Sequence, residues 1–570
     1  MPDCPFNPAA ENIADLIYRF GSLQSERWNN TSSLCADYVS SDYIILHMPL
    51  TPDAVSMRVH SYYMIPSLFS PLDYNAMEAS GILSAFNSPA LNNQGKGVLI
   101  GLVDTGIDYR SPLFQNPDGT TRIAGIWDQS VPIEEDVLPA GVPDYYPMGG
   151  SSYGTEYTRE QINEALASDD PLSLVPTQDT IGHGTFLAGL AAGSSIPQED
   201  FTGAAPEAEL AVVKLKPAKK YLRDFYLIPS DAPAFQENDI MMGIKYLRMM
   251  ADRLKKPLVI LLAMGSNSGS HIGTSPLSQV TQNYSGFFGI ITVIAGGNET
   301  GAAHHFYASI PAGTEYEDVE IRVGKEEAER GFVLELWAAD ADTYTVGFIS
   351  PSGERISRIP IIANNETSIP FLLDATTITV NYQLIEAESG SQLIFMRFQT
   401  PAAGIWTVRV YNTQRFKGTF HMWLPVQGMI SEETVFLRPD PYSTITVPGN
   451  SRLPITVGAY DTSTGGIYIH SSRGFTPNQI VKPELAAPGV NILGPSVGRK
   501  PGSDTPMTTR TGTSAAAAIT AGAAANLLGW GIVEGNYPTM SEASVKSYLI
   551  RGAQRNPALT YPNREFGYGT

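Results

Sequence analysis

Three polar residues stand where an acid, a base and a nucleophile would be needed. Asp104 closes the apolar run of VLIGLVDTGID, His183 sits in IGHGTFLAGLAAG, and Ser514 opens GTSAAAAITAGAAANLL. A serine hydroxyl is a weak nucleophile until a base takes its proton, and imidazole, with a pKa near neutrality, suits that task. A carboxylate behind the imidazole fixes its tautomer and stabilises the imidazolium. Taken singly, each residue has a plainer reading: an Asp at a strand end is usually a turn or cap residue, a His between glycines can be structural, and a Ser before a helix can be an N-cap. A fourth segment, ITVIAGGN, is an apolar strand-like run ending in small residues and Asn298. The ordered acid, base and hydroxyl point to nucleophilic catalysis by a serine.

Each of these residues needs an element to hold it. Val98 to Val103 is an apolar run that reads as a buried parallel strand, so Asp104 falls at its carboxyl end, where open α/β sheets place their sites. Gly182 and Gly184 flank His183 and permit close backbone approach, and Thr185 to Ala192 predicts a small-residue helix with the imidazole in its first turn. Gly512 and Thr513 turn the chain into an alanine run, which predicts Ser514 at a helix N-terminus whose N–H groups favour developing negative charge.

With Asp, His and Ser in that chain order, the sequence resembles the subtilisin-like (S8 family) serine endopeptidases. The resemblance implies an α/β, three-layer fold around a mainly parallel sheet, a catalytic triad of Asp104, His183 and Ser514, and an oxyanion site made by the Asn298 amide and the Ser514 N–H. It also implies an S1 pocket with Ala263, Met264 and Gly265 of VILLAMGSNSGS as one wall and Ala295, Gly296 and Gly297 as the other. Matching STITVPG puts Thr446 at the base of that pocket, where many relatives have Gly; a branched side chain there would disfavour large aromatic residues at P1. Many relatives follow the serine with Met and then Pro and His, whereas this chain has Ala515, Ala518 and Ile519, which marks a divergent branch.

Spacing indicates which branch. A minimal subtilisin has roughly thirty residues from Asp to His and roughly 160 from His to Ser, against 79 and 331 here. Two insertions are implied. The first, about 117–179, contains RIAGIWDQS and a helix-like run capped by Thr158. The second, 300–439, is a series of short alternating segments such as GFVLELWAA, YTVGFISPSGE and GIWTVRVYN, separated by Gly, Pro, Asn and Asp, which predicts an antiparallel β-sandwich. An insert of that kind resembles the jelly roll of the Csp subgroup of clostridial subtilases, and its role as a binding module or as a rigidity element is left open. The expected organisation is a propeptide-like segment at 1–70, with an amphipathic stretch from Asn12 to Phe20, then a catalytic domain in two parts, 71–299 and 440–570, around the insert. The family likeness is expected from about Tyr74 onward.

The composition suits a large enzyme: 570 residues, 43% apolar, give ample length for a core and added modules. A net charge of −20 argues against nucleic acid or anionic membrane surfaces as partners, and no uninterrupted apolar run of about eighteen residues suggests a membrane span. The expected partners are a protein or peptide substrate and the chain's own propeptide. Both cysteines, Cys4 and Cys35, fall outside the expected core, so a disulfide framework is not expected. MPDCPFNPAAENIADLIYRF lacks the basic start and apolar stretch of a secretory signal, which predicts a cytoplasmic or spore-associated protein, or an extracellular one if the N-terminus was trimmed. No cofactor is expected. The family often binds calcium, and Asp108, Asp118, Asp128, Glu199 and Asp200 are the loop acids available, but they show no ordered ligand spacing. The Csp likeness implies limited proteolysis of a zymogen during spore germination; a non-catalytic scaffold of the same fold and a broad-specificity protease are the alternatives.

Overall fold

Strand Leu99–Asp104 is apolar up to its last residue, and it lies inside an eight-stranded sheet. The order across the sheet is Leu485–Pro488, Ile455–Tyr460, Ile290–Ala295, Leu258–Leu262, Leu99–Asp104, Glu209–Lys214, Ile123–Asp128 and Thr155–Thr158. All neighbours are parallel except the last pair. The structure is a computed structural model that describes residues 4, 6–19, 35–72, 94–132, 153–339, 341–362, 366–498 and 506–570. Tyr74, Phe20 and residues 133–152 of the first expected insertion lie outside them.

Continuous apolar strands are what a sheet covered on both faces requires. Alternate residues go to opposite layers: Ile100, Leu102, Val259 and Val293 pack with helices His183–Ala192 and Thr513–Leu528, whereas Leu99, Val103, Ile260 and Ile294 pack with Glu237–Leu254 and Pro276–Ser285. This is the expected three-layer α/β arrangement. The stretch Thr513–Val533 is apolar and long enough to cross a membrane by length and composition, yet 67% of its window is buried inside the protein. It is the central core helix.

The second insertion folds as two facing antiparallel sheets, one of six strands and one of five. Phe332, Leu334, Leu336, Ile378 and Met396 of the larger sheet meet Val319, Ile321, Phe348, Val408 and Val410 of the smaller in a core of their own. The alternate residues of the larger sheet, Val333, Trp337, Leu393, Phe395 and Trp423, face the other way and join the catalytic core. Strand Phe332–Ala338 is therefore buried along its whole length. The period of two in a pleated strand divides it between two cores.

The first insertion is less of an addition than the spacing suggested. It contains strand Ile123–Asp128, which is part of the main sheet, and antiparallel strand Thr155–Thr158 at its edge. Thr158 then caps helix Arg159–Leu166 with a capping box closed by Gln161. The loop acids are dispersed. Asp128 is buried and accepts from Lys214 Nζ at 2.9 Å and Thr177 Oγ1 at 2.6 Å, Asp108 pairs with Arg110, Asp118 accepts from Thr120, and Glu199 and Asp200 lie on a separate turn.

Ahead of the main sheet, strands Ile13–Arg19, Ala36–Tyr38 and Tyr43–Pro49 form a small antiparallel sheet. Ile17, Val39, Tyr43 and Ile45 pack on the outer face of helix Glu237–Leu254 through Ile240, Met241 and Ile244. Cys4 and Cys35 are bonded to each other here, contrary to the expectation from sequence. That expectation measured the cysteines against the catalytic core, whereas this segment has a fold of its own. A buried network fastens it: Lys219 Nζ donates to the carbonyls of Pro8 and Ile13 and pairs with Asp15 at 2.8 Å, and His47 bridges Asp15 at 2.8 Å and Asp37 at 3.2 Å.

Burial opposes charge on the His47 imidazole, but the hydrogen bonds to Asp15 and Asp37 outweigh it, and its pKa is pushed up to about 9. Burial also pulls the Asp15 carboxyl upward, but Lys219 and His47 overcome this and hold it well below the usual carboxylate range. The raised imidazole contributes stability that is complete below its unfolded value near 6.5 and is lost as pH rises through about 9. The lowered carboxyl contributes stability present above about pH 4 and lost as pH falls. Hydrogen exchange in strands Ile13–Arg19 and Tyr43–Pro49 is therefore expected to show a loss of a few kcal/mol of protection between about pH 6.5 and 10. His47→Gln should flatten that loss, and an equally steep profile in the variant would remove His47 as its cause.

Candidate active site

Asp104 is the last residue of its strand, and its carboxylate Oδ1 lies 2.7 Å from His183 Nδ1. The N–H of Thr105 also donates to that oxygen, at 2.7 Å. His183 is the first residue of helix His183–Ala192, entered through Gly182 at φ 79°. A Cβ at Gly184 would stand 2.2 Å from the Gly106 carbonyl and 3.2 Å from Asp104 Oδ1, so only glycine lets the helix come this close.

A residue that the sequence reading passed over holds these two loops together. Asp179 Oδ1 accepts from Thr105 Oγ1 at 2.9 Å and the Gly182 N–H at 2.7 Å, while its Oδ2 accepts from the Thr185 N–H at 2.9 Å and Thr185 Oγ1 at 2.7 Å. Its only signal in the sequence is an Asp four residues ahead of the histidine.

Ser514 is the second residue of helix Thr513–Leu528, the first-turn position expected of it. Its hydroxyl donates to the Leu72 carbonyl at 2.8 Å, and Asn298 Nδ2 donates to the same oxygen at 2.6 Å. Asn298 is held at side chain and backbone: its Oδ1 accepts the Thr513 N–H at 3.0 Å, and its main-chain carbonyl accepts from Gln427 Nε2 at 2.5 Å. Next to it, Glu299 accepts from Asn267 Nδ2 at 2.9 Å, the Gln427 N–H at 3.1 Å and His304 Nδ1 at 3.0 Å. Burial would raise the Glu299 carboxyl, but the bonds from His304, Asn267 and Gln427 hold it below its ordinary value. Gln427 comes from the inserted sandwich's return, which no pattern near Asn298 announces.

The chain itself fills the cleft. Strand Leu68–Pro71 lies antiparallel between Met264–Gly265 and Phe235–Gln236, and the Leu72 N–H donates to the Ala263 carbonyl at 3.1 Å. The expected propeptide-like segment thus runs past residue 70 into the site. Gly265 separates Leu72 from Thr446: a Cβ there would meet Thr446 Oγ1 at 2.6 Å and Leu72 Cδ2 at 2.8 Å. Gly297 backs onto Thr446 Cγ2, and the Thr446 N–H donates to the Gly296 carbonyl at 3.0 Å. Ala295 does not join this group through its side chain, which belongs to the main core, and Met264 points into the opposite core layer. Beyond Leu72 and His183 a cleft of about 850 Å³ continues, walled in part by Arg322, Val426, Glu432 and Val435 of the insert.

A model of the subtilase family matches residues 95–349 and 438–569. The structure of the Clostridium perfringens CspB protease is similar over 84% of this chain and 92% of that one, with 30% identity and a TM-score of 0.72. Among curated proteins, the Arabidopsis thaliana subtilisin-like proteases SBT3.5 and SBT3.12 are 23% and 24% identical over 89% and 83% of this chain. The chain spans only 64% and 59% of the length of those two relatives.

If Asn298 holds the developing charge, Asn298→Ala should slow fluorophosphonate labelling of Ser514 roughly 100- to 1000-fold. Asp179→Ala, which frees the loops carrying Asp104 and His183, should slow it about 100-fold through misplacement alone. Labelling of either folded variant at the wild-type rate would remove that residue from the site.

Proposed function

Because the chain belongs to the subtilase family, we propose that it is a serine endopeptidase whose first substrate is its own N-terminal segment. The observation that carries this reading is the Leu72 carbonyl, which accepts hydrogen bonds from both Ser514 Oγ and Asn298 Nδ2. These two donors seat the Leu72 carbonyl between Ser514 and the Asn298 amide; attack requires the hydroxyl to turn its proton from this oxygen to His183. Ser514 Oγ adds to the carbonyl carbon of Leu72 while His183 takes the hydroxyl proton, and Asp104 holds the imidazole by Nδ1. The negative charge that forms on the Leu72 oxygen is met by the Asn298 amide and the N–H groups at the start of the Ser514 helix. The C–N bond to Asp73 then breaks, His183 returns the proton to the departing amine, and water hydrolyses the acyl-enzyme by the same route reversed.

The same seating supports a preference for leucine or a side chain of similar size at P1, because Thr446 and the Leu72 side chain share the space beside Gly265. Phe69, fully buried, would be the P4 residue. Limited proteolysis of a zymogen, as in the Csp-type germination proteases, is the finer reading; it is supported by the likeness to the CspB protease and by the sandwich inserted after Asn298. A non-catalytic scaffold is the weaker reading, since Asp104, His183, Ser514 and Asn298 are all present, with Asp104 on the imidazole and Ser514 and Asn298 on one carbonyl oxygen.

Intact mass and N-terminal sequencing of the purified chain should show a new N-terminus at Asp73. Ser514→Ala should leave the Leu72–Asp73 bond intact and abolish fluorophosphonate labelling. An uncut, unlabelled and folded wild type would sink the protease reading, and a cut retained in Ser514→Ala would assign it to another enzyme.

A further inference from the structure

The N-terminal segment makes a second close contact ten residues before Leu72, and the inserted sandwich makes it. Tyr62 is buried, and its hydroxyl donates to Glu335 Oε1 at 2.6 Å. Glu335 lies on the outward face of strand Phe332–Ala338, the face turned to the catalytic core. Its other oxygen accepts from the indole N–H of Trp337 at 2.9 Å and from the N–H of Gly269 at 2.9 Å. Gly269 follows closely on Met264–Gly265, the strand that pairs with the cleft-bound segment. One buried carboxylate thus joins the insert, the N-terminal segment and the cleft wall.

The surroundings are aromatic and specific in geometry. The Tyr62 ring meets Trp337 edge-on at 5.6 Å and tilts against Phe395 at 6.2 Å. Phe395 stacks on Phe225 of the catalytic domain at 5.6 Å. Tyr63 lies over Trp337 at 6.3 Å, and its hydroxyl accepts the Ser270 N–H at 3.3 Å. A packing face needs only apolar area. This one sets a carboxylate at the floor of an aromatic pocket, where a phenol supplies one of its three donors. A buried acceptor that loses a donor bears its desolvation uncompensated, so such a pocket discriminates between tyrosine and phenylalanine.

We infer that the inserted β-sandwich provides a distal subsite of the protease, formed by Glu335, Trp337 and Phe395, which selects polypeptide substrates carrying a tyrosine about ten residues upstream of the cleaved bond. The inference rests on the protease reading given above. The N-terminal segment is then the first occupant of a site that substrates use later. A short peptide spanning only the cleft cannot reach it, so substrate choice depends on an extended upstream stretch and not on P1 and P4 alone. This favours cleavage of a few proteins over general digestion.

The test uses the full chain after self-processing and synthetic peptides of its own sequence. Peptide 60–76 reaches the pocket, peptide 67–76 does not, and a third is peptide 60–76 with Tyr62→Phe. The long peptide should show a KM roughly tenfold to a hundredfold below that of the short one. The Tyr62→Phe peptide should lose most of that advantage with kcat within about twofold, and Glu335→Gln in the enzyme should shrink the long-to-short ratio. Because the Tyr62→Phe change is in the peptide, the result stands even if the Glu335 variant does not fold. Equal KM values for the three peptides, or cleavage of none by a chain whose Ser514 takes up a fluorophosphonate, would overturn the subsite. Absence of labelling would instead overturn the protease reading and this inference with it.

Discussion

The helix Thr513–Leu528 carries Ser514 at its second position, and it runs through the middle of the molecule because alanine and glycine let its backbone come close to its neighbours. A Cβ on Gly522 would stand 2.4 Å from Ala204 Cβ and 2.8 Å from the Ala191 carbonyl. This close approach brings the Ser514 helix against the end of the His183 helix. The Thr513 N–H then reaches the Asn298 amide oxygen, which leaves the amide nitrogen aimed at the Leu72 carbonyl. Larger side chains along that helix would separate Ser514, His183 and Asn298 together. The geometry of the site is a consequence of small-residue packing.

Two further elements, the inserted sandwich and the N-terminal segment, are held against this core. The inserted sandwich stabilises itself through one face of its larger sheet and spends the other face on the catalytic domain. Through that second face and its return segment it supplies Gln427 to the Asn298 backbone, a wall of the cleft beyond Leu72, and Glu335 to the upstream stretch of the bound segment. The same buried contacts that fix its orientation also line the cleft and hold the upstream stretch of the N-terminal segment.

The N-terminal segment is docked by a different kind of force. Its small sheet offers limited apolar area, and charge does part of the fastening: Lys219, Asp15, His47 and Asp37 form one buried chain of ion pairs and hydrogen bonds. Such a network is strict about geometry, because an unpaired buried charge is expensive. It fixes where the segment sits, and hence which residue arrives at Ser514.

Much of the chemistry was legible in the sequence because it is local. Strand-end Asp104, helix-start His183 and Ser514, and Asn298 after an apolar run each follow from a short pattern, and the period-two texture of 300–439 was enough to foresee a sandwich. The family likeness was carried by those same segments. What tertiary structure alone decided involves residues far apart in the chain. Leu72 meets Ser514, Gln427 meets Asn298, Tyr62 meets Glu335, and Cys4 is bonded to Cys35. The first insertion yields a strand of the main sheet for the same reason. A local pattern records which face of an element is apolar; it does not record which distant face will cover it. That choice is made by the packing of the whole chain, and it determines what fills the cleft and what the insert touches.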